Sequence, residues 1–333
     1  MKSASRIGNQ LLAVTFLLSG AITLGSLSQA DAQTPIKIGI ISPTFGHAPF
    51  YIAREKGFYK AEGLIGEVIV MNRDDLILQS LVSDSIQFGN ISPSAVFPAR
   101  DQGLTDVKMI AGSFNGTTYS IIANAKFKTL ESLKGATIAV SSLQAGSTQV
   151  LKYILKQRGL IYPRDYNLIR AGGTTLRWAA LQTQQVDGAI LAEPVSLIAV
   201  EKGFANLGEA DKLVPGYQLA GVWIREGWAA KNKDVTLRFL RAFRNSLKWL
   251  HDNRTEALQL LPKITTLPKQ YVQSAWETYT KAIWPRDGRA NRQGLQLVID
   301  LMAEDGLLKK PVKPEDIIDD SFLREIGGEI EVK

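Results

Sequence analysis

The sequence of 333 residues contains no cysteine and only two histidines, His47 and His251. A chain without cysteine forms no disulfide, builds no cysteine-rich zinc site and performs no thiol catalysis. A serine triad would have to use one of the two histidines. Neither a Gly-x-Ser-x-Gly turn nor a phosphate-binding P-loop occurs in the sequence. These absences weaken the enzyme interpretations.

Long apolar runs are also scarce, and the one near the start is typical of an export signal. Lys2 and Arg6 precede the apolar run Leu11–Leu18, and Ala30-Asp31-Ala32 fits a small-x-small cleavage site. A membrane anchor is the alternative, but the run is short and interrupted by polar residues. We therefore expect cleavage after Ala32 and a periplasmic chain that begins at Gln33.

The composition indicates a globular α/β protein. The chain is 45% hydrophobic and 21% charged, and its length suits two domains. The formal net charge of +7 favours solubility or attraction of anionic solutes or a membrane surface. No basic run is interleaved with aromatic residues, so nucleic acid is not an expected partner.

A repeated pattern predicts two similar lobes. Leu81–Pro93 and Leu181–Pro194 each fit the end of a helix, a turn, a buried strand and a loop before the next helix. Ligands of open α/β sheets bind at the carboxyl ends of strands, so we expect a cleft between the lobes. Tyr217–Ile224 is predicted to return the chain to the first lobe, and helices follow, of which Asp234–Asp252 is amphipathic.

Five motifs in this order resemble the solute-binding proteins of ABC importers for sulfonates, taurine, nitrate and thiamine-precursor pyrimidines. The motifs are HAPFYIAREKGFYKAEGL (His47–Leu64), IQFGNISPSAV (Ile86–Val96), TLESLKGATIAV (Thr129–Val140), LRWAALQTQQVDGAILAEP (Leu176–Pro194) and VKPEDIIDDSFL (Val312–Leu323). The chain departs from the family at Gln87, where relatives often carry an acid, whereas Asp187 keeps it. We interpret that residue as structural, fixing the entry to a strand.

The resemblance implies an α/β, two-lobed periplasmic binding fold of type II. Each lobe would be a mostly parallel sheet flanked by helices, with a helical C-terminal extension. Lobe 1 would comprise residues 33–115 and 218–333, and lobe 2 residues 116–217. The implied protein is a monomer and not an enzyme. It needs no cofactor or metal, binds a small molecule between its lobes and delivers it to the permease subunits of an ABC importer.

The candidate ligand-binding residues follow predicted strands or begin predicted helices. They are Phe45, His47, Asn90, Ser92, Ser94, Thr117, Thr118, Gly146, Ser147, Thr148, Thr174, Arg177, Glu193 and Trp223. Gly146, Ser147 and Thr148 are the clearest site for an anion, because a helix N-terminus carries partial positive charge. For each candidate, helix capping, core packing or solvent exposure is the alternative interpretation.

The ligand class and one alternative function stay open at this stage. Arg177 would pair with a carboxylate or sulfonate, Glu193 would accept from an amine, and Trp223 would stack on a planar ring. Some relatives of this fold synthesise the thiamine pyrimidine and carry a histidine near the position of His47, so a synthase is the alternative. A module that presents its ligand to a chemoreceptor or sensor kinase is a third interpretation.

The predicted cleavage site gives a direct test. We expect the exported protein to begin at Gln33 when its N-terminus is sequenced, because the small residues Ala30 and Ala32 flank the predicted cut. An exported chain that retains Leu11–Leu18 would contradict the signal-peptide interpretation and favour the anchor.

Overall fold

The computed structural model describes residues 33–265 and 267–327, and the predicted signal at 1–32 lies outside them. In chain order the strands are β1 (Thr34–Ile40), β2 (Leu64–Val70), β3 (Phe88–Ile91), β4 (Val107–Phe114), β5 (Tyr119–Ala123), β6 (Thr137–Val140), β7 (Asn167–Arg170), β8 (Gly188–Ala192), β9 (Ala205–Glu209) and β10 (Ala220–Arg225). They form two sheets, with the orders β2-β1-β3-β10-β4 and β7-β6-β8-β5-β9. We call the first sheet with its helices lobe 1 and the second lobe 2.

In each sheet one strand runs against the other four. β1 pairs in parallel with β2 and β3, whereas β10 is antiparallel to both β3 and β4. β6 is likewise parallel to β7 and β8, and β5 is antiparallel to β8 and β9. The reversed strands are the first strands after each passage of the chain between the sheets. The mostly parallel sheets expected from the sequence are therefore confirmed.

Helices cover both sheets and form the C-terminal part of the described chain. They are α1 (Ala48–Glu55), α2 (Phe58–Ala61), α3 (Asp74–Val82), α4 (Pro93–Asp101), α5 (Gly146–Lys156), α6 (Thr174–Gln182), α7 (Val195–Glu201), α8 (Ala210–Leu213), α9 (Glu226–Lys231), α10 (Lys233–Asp252), α11 (Arg254–Thr265), α12 (Lys269–Thr278), α13 (Arg292–Glu304) and α14 (Ser321–Glu325). A π-helical turn, Tyr279–Ile283, extends α12. Among the residues described, no helix has the length and apolarity needed to cross a membrane.

The amphipathic helix α10 attaches the C-terminal helices to lobe 1. Its Phe239 stacks on Phe88 of β3 at 3.7 Å between ring centroids, and its Phe243 stacks on Phe50 of α1 at 4.9 Å. All four rings are fully buried. Burial of such large apolar surfaces explains why the predicted extension packs as part of lobe 1.

The two copies of the sequence repeat have the same local structure, one hundred residues apart. Helices α3 and α6 begin at Asp74 and Thr174, and the residues that end their turns, Asp84 and Gln184, have φ angles of 56° and 57°. A left-handed residue just past a helix end is a common helix stop. Both helices therefore end in the same way, one hundred residues apart.

Gln87 and Asp187 fix the start of the next strand in the same way. The Gln87 Oε1 accepts from the backbone N–H of Lys37 at 2.9 Å, and the Asp187 Oδ2 accepts from that of Thr137 at 3.0 Å. The amide oxygen of Gln87 thus accepts the same backbone hydrogen bond as the carboxylate oxygen of Asp187. The departure from the family at Gln87 therefore leaves the structural bond intact.

One strand differs from the sequence-based expectation. β9 was not predicted, because its segment Ala-Asn-Leu-Gly-Glu lacks the alternation of apolar and polar residues that signals a strand. The chain passes to the second sheet between Phe114 and Tyr119 and returns before Ala220. These passages lie close to the predicted lobe boundaries at residues 115/116 and 217/218, which stay a prediction.

The bond between the Thr137 N–H and Asp187 predicts that loss of Asp187 lowers the free energy of unfolding more than loss of Lys126 does. We expect Asp187→Ala to lower the free energy of unfolding by about 1–2 kcal/mol, because the Thr137 N–H loses its acceptor. Lys126→Ala keeps that bond and removes the ion pair to the same carboxylate and a contact with the Phe127 ring; because the Lys126 side chain is 68% exposed, it should cost less than about 0.5 kcal/mol. Urea denaturation measures both, and equal losses would contradict the assigned role of the bond.

Candidate functional site between the two lobes

A cavity lies between the lobes at the carboxyl ends of parallel strands. Residues that end or follow the strands line it, namely Ile41 after β1, Ser92 after β3, Ser141 after β6 and Ala192 in β8. The empty space measures about 510 Å³, including the part that opens to solvent. The part that could hold the centre of a water-sized molecule is only about 30 Å³, so the two lobes enclose little free space, and the place of the cavity matches the cleft expected from the sequence.

Six of the predicted residues line this cavity. They are His47, Asn90, Ser92, Thr118, Gly146 and Ser147. His47, Asn90 and Ser92 come from lobe 1, whereas Thr118, Gly146 and Ser147 come from the chain of lobe 2. The fold therefore brings six of the predicted residues, which lie far apart in the chain, to one cavity.

The structure places Phe45 and Trp223 in the core of lobe 1 and away from the cavity. Phe45 is fully buried and stacks on Trp284 at 5.5 Å between centroids. Trp223 lies within β10, and its indole N–H donates to the Ile91 carbonyl at 2.9 Å. Because β10 is a central strand, this side chain packs in the core and does not line the cavity.

Three predicted residues form hydrogen bonds near the cavity but do not line it, namely Ser94, Thr117 and Thr148. The Ser94 hydroxyl donates to the Gln144 carbonyl of lobe 2 at 2.8 Å, and the Thr148 hydroxyl donates to the Ser142 carbonyl at 2.7 Å. Thr117 accepts from the Tyr119 N–H at 3.2 Å. These three side chains support the cleft walls, which is the alternative that the sequence left open.

Glu193 joins lobe 2 to the C-terminal helices of lobe 1 at one end of the cleft. Its carboxylate accepts from the hydroxyls of Ser274 and Thr278 at 3.2 and 3.4 Å. Burial raises the pKa of Glu193, and these two bonds oppose the rise. Nearby, the Tyr279 hydroxyl bonds to Thr118 at 2.9 Å. Glu193 therefore connects the lobes and does not line the cavity.

Arg177 and Thr174 lie behind the cavity wall. Arg177 is 1% exposed, its Nη2 donates to the Thr174 hydroxyl at 2.9 Å, and its guanidinium lies 5.4 Å from the centre of the Tyr119 ring. Burial lowers the pKa of Arg177, whereas Tyr119 and Asp74 oppose that shift. Its Nε and Nη1 have no hydrogen-bond partner among the described residues. The ring of Tyr119, which lines the cavity, contacts this arginine.

Several lining residues were not singled out from the sequence. They are Thr44, Asp74, Phe114, Tyr119, Ser141 and Tyr279. The one-hundred-residue repeat could have nominated Asp74, because it occupies the position of the predicted Thr174. Tyr279 enters from the C-terminal helices, and no local pattern indicates that this segment reaches the cleft.

A chain of hydrogen bonds crosses the cleft at Ser92. The Asp74 Oδ1 accepts from the N–H and the hydroxyl of Ser92, at 3.0 and 2.8 Å. The same hydroxyl oxygen accepts from the Gly146 N–H of lobe 2 at 2.9 Å. The first N–H of α5, expected to hold an anion, is thus bonded to a serine of the other lobe.

His47 is a neutral residue of the site. Burial lowers its pKa from 6.5 to about 4, although the side chain of Asn90 opposes the shift. Its Nδ1 lies 3.0 Å from the Thr44 hydroxyl. At neutral pH this ring therefore offers a hydrogen bond and no positive charge. In the described part of the chain, no group of three or more acidic or histidine side chains is arranged to hold a metal ion.

Comparison with known proteins agrees with this architecture. A family model described as NMT1/THI5 like matches residues 44–257. A putative binding protein of Brucella abortus (strain 2308) is 26% identical over 316 residues, which cover 91% of this chain and 96% of the relative.

Two solved structures share the fold. The periplasmic nitrate-binding protein NrtA from Synechocystis PCC 6803 superposes with a TM-score of 0.73 at 16% identity, covering 90% of each chain. The ligand-binding component of an ABC-type import system from Staphylococcus aureus superposes with a TM-score of 0.72 at 17% identity, covering 89% of this chain and 99% of that one. At these identities the likeness extends to the two-lobed fold alone.

The tight contact at Gly146 predicts that the lobes can close only if residue 146 has no Cβ atom. A Cβ at Gly146 would lie 2.9 Å from the Cβ of Ser92 and 3.1 Å from the Leu219 carbonyl oxygen. We expect Gly146→Ala to cost the closed arrangement about 1–3 kcal/mol and to increase the radius of gyration in small-angle scattering. Gly227→Ala is the control, because only one side-chain atom lies within 4 Å of its Cβ position. Equal radii for the two variants would contradict this account.

Burial of His47 predicts a specific pH dependence. Because its pKa is lowered in the folded state, the stabilisation is complete above pH 6.5 and is lost as the pH falls towards about 4. The loss amounts to at most about 3 kcal/mol of unfolding free energy. We expect His47→Gln to remove this part of the pH dependence in urea titrations at pH 7 and pH 4.5. An unchanged difference between the two pH values would contradict it.

Proposed function

The chain belongs to the NMT1/THI5-like family, and we propose on that premise that it is the extracytoplasmic solute-binding component of an ABC importer. It captures a small solute between lobe 1 and lobe 2 and delivers it to the permease subunits. Two similar proteins support this proposal: one is named as a putative binding protein, and the other as the ligand-binding component of an import system. The proposal includes export, with the cut after Ala32, and a monomeric chain.

The observation that carries this proposal is a cavity whose walls come from both lobes and combine apolar and polar side chains. Polar bonds between the lobes surround it, with Ser92 and Gly146 on one side and Tyr279 and Thr118 on the other. A ligand that touches both walls favours the closed arrangement over the open one, in proportion to the contacts that exist only when closed. This geometry supports capture by closure.

The lining suits a small ligand with a flat ring or a compact polar group. Phe114, Tyr119 and Tyr279 supply aromatic surface, whereas Ser92, Ser147 and other hydroxyl residues supply hydrogen bonds. The proposed range therefore covers the sulfonate, nitrate, pyrimidine and carboxylate classes. Among similar proteins, one is named for nitrate and one for riboflavin.

A synthase on the same fold is the second candidate, since the family also includes synthases. That function would depend on His47, whose ring is neutral at pH 7 and already contacts Thr44. Recovery of an unchanged solute after prolonged incubation with the protein, measured by mass spectrometry, supports binding. Conversion of the solute would favour the synthase.

A thermal-shift screen of residues 33–333 tests the proposal. The panel contains sulfonates, nitrate, pyrimidines and aromatic carboxylates. A ligand at one hundred times its dissociation constant should add about 2.7 kcal/mol of stability, which raises the Tm by several degrees. A shift with one class supports a binding protein for that class. No shift with any class at millimolar concentration would count against the proposed function.

A further inference from the structure

The end of α12 departs from regular helix geometry at the point where it reaches the cavity. Residues Tyr279–Ile283 form a π-helical turn, in which the Trp284 N–H donates to the Tyr279 carbonyl at 2.8 Å, five residues back along the chain. Such a turn holds one residue more than an α-helical turn, bends the helix and occurs frequently at functional sites. Its first residue, Tyr279, is 1% exposed and lines the cavity. The turn therefore stands where the C-terminal helices meet the cleft.

The ring of Tyr279 is fixed by aromatic residues of lobe 1. Its centroid lies 5.3 Å from that of Phe45, 5.1 Å from that of Trp284 and 6.3 Å from that of Phe114. The Trp284 indole N–H in turn donates to the Gly46 carbonyl at 2.9 Å. Aromatic pairs at these separations attract one another and bury large apolar surfaces. The ring is thus held in place without any use of its hydroxyl.

The hydroxyl of Tyr279 bonds to lobe 2. It lies 2.9 Å from the Thr118 hydroxyl and donates to the Glu193 carbonyl at 3.3 Å. These two residues are themselves paired, because the Glu193 N–H donates to the Thr118 carbonyl at 3.0 Å. Burial raises the pKa of Tyr279, whereas the bond to Thr118 opposes the rise, so the hydroxyl keeps its proton at neutral pH. One side chain therefore forms the cavity wall with its ring and reaches the other lobe with its hydroxyl.

Other hydroxyls of α12 contact lobe 2 outside the cavity. Tyr271 donates to the carboxylate of Glu201 in α7. Ser274 and Thr278 donate to that of Glu193 at 3.2 and 3.4 Å. These three donors do not line the cavity. The helix thus lies along lobe 2, and the tyrosine of the π-helical turn adds a contact that a solute in the cavity can also reach.

We propose that Tyr279 is a positioning residue for solute capture, which holds Thr118 and Glu193 of lobe 2 against the solute that its ring contacts. Its ring is fixed to lobe 1 and its bonding partners lie on lobe 2, so the two bonds exist only when the lobes are closed. A solute that packs on the ring adds contacts in that same arrangement and favours it further. This inference rests on the proposed function and assigns part of the closure to one hydroxyl.

Tyr279→Phe tests the hydroxyl, because phenylalanine keeps the ring. Spin labels at Lys248→Cys in α10 and Gln185→Cys in lobe 2 report the populations of closed and open lobes, and the chain has no native cysteine. In the solute-free protein, Tyr279→Phe should lower the ratio of closed to open lobes about threefold to tenfold, which is what a hydrogen bond contributes.

Two further variants distinguish a bond between the lobes from a structural role of the tyrosine. Tyr59→Phe should keep the wild-type ratio, because Tyr59 is also buried and its hydroxyl has no hydrogen-bond partner within the described residues. Thr118→Val removes one of the bonds from the side of lobe 2. Added to Tyr279→Phe, it should change the ratio by less than about twofold, because that bond is already lost. Losses that multiply in the double variant would argue against the assigned bond. A melting curve confirms that each variant is folded.

Solute binding gives a second readout. Benzoate, taurine, nitrate and cytosine are titrated calorimetrically, each up to about 10 mM, against the wild type, Tyr279→Phe and Tyr59→Phe. The Kd of a probe that binds the wild type should rise about threefold to tenfold in Tyr279→Phe and stay unchanged in Tyr59→Phe.

The outcomes separate this inference from the proposed function. An unchanged ratio in Tyr279→Phe, including lobes that are open in both proteins, overturns the role of the hydroxyl. Binding of any probe would then leave the proposed function standing. Failure of all four probes counts against the proposed function alone, because the spin labels need no solute to test the bond.

Discussion

The hydroxyl of Ser92 is the point on which the closed arrangement depends. It has one proton, which it donates to Asp74, and its oxygen accepts from the Gly146 N–H of the other lobe. The direction of each bond is therefore fixed, and Asp74 must act as an acceptor. The bonds join the start of α3, the loop before α4 and the start of α5. This contact sets the width of the cleft and leaves no room for a side chain at position 146.

The remaining cross-lobe contacts are of two kinds, polar bonds and apolar contacts such as that of Leu267 with the core of lobe 2. At the far side, Glu193 bonds to α12, and Lys156 of α5 pairs with Glu304 at 3.1 Å. Each polar bond of this type adds only about 0.5–1.5 kcal/mol to a folded arrangement, because water competes for the same groups. A ligand that contacts both lobes adds to these bonds and so favours the closed arrangement.

Much of the fold could be predicted because both copies of the repeat, Leu81–Pro93 and Leu181–Pro194, show the same local pattern of residue types. The strand-entry residues Gln87 and Asp187 and the buried strands follow from spacing and residue type, whereas the left-handed residues Asp84 and Gln184 were not singled out. The site was only partly predictable. His47 and Gly146 follow strands and could be found, but Tyr279 comes from a distant helix. Trp223 looked like a stacking residue because nothing in the sequence shows that β10 enters the middle of the sheet.

If the two lobes close around a solute, the distance between them changes when the solute binds. The chain has no cysteine, so Lys60→Cys on lobe 1 and Gln185→Cys on lobe 2 can carry a specific pair of spin labels. Pulsed electron resonance then gives the distance distribution with and without the solute found in the thermal screen. The account predicts that the solute shifts the distribution and narrows it to one distance. An identical distribution at saturating solute would contradict closure.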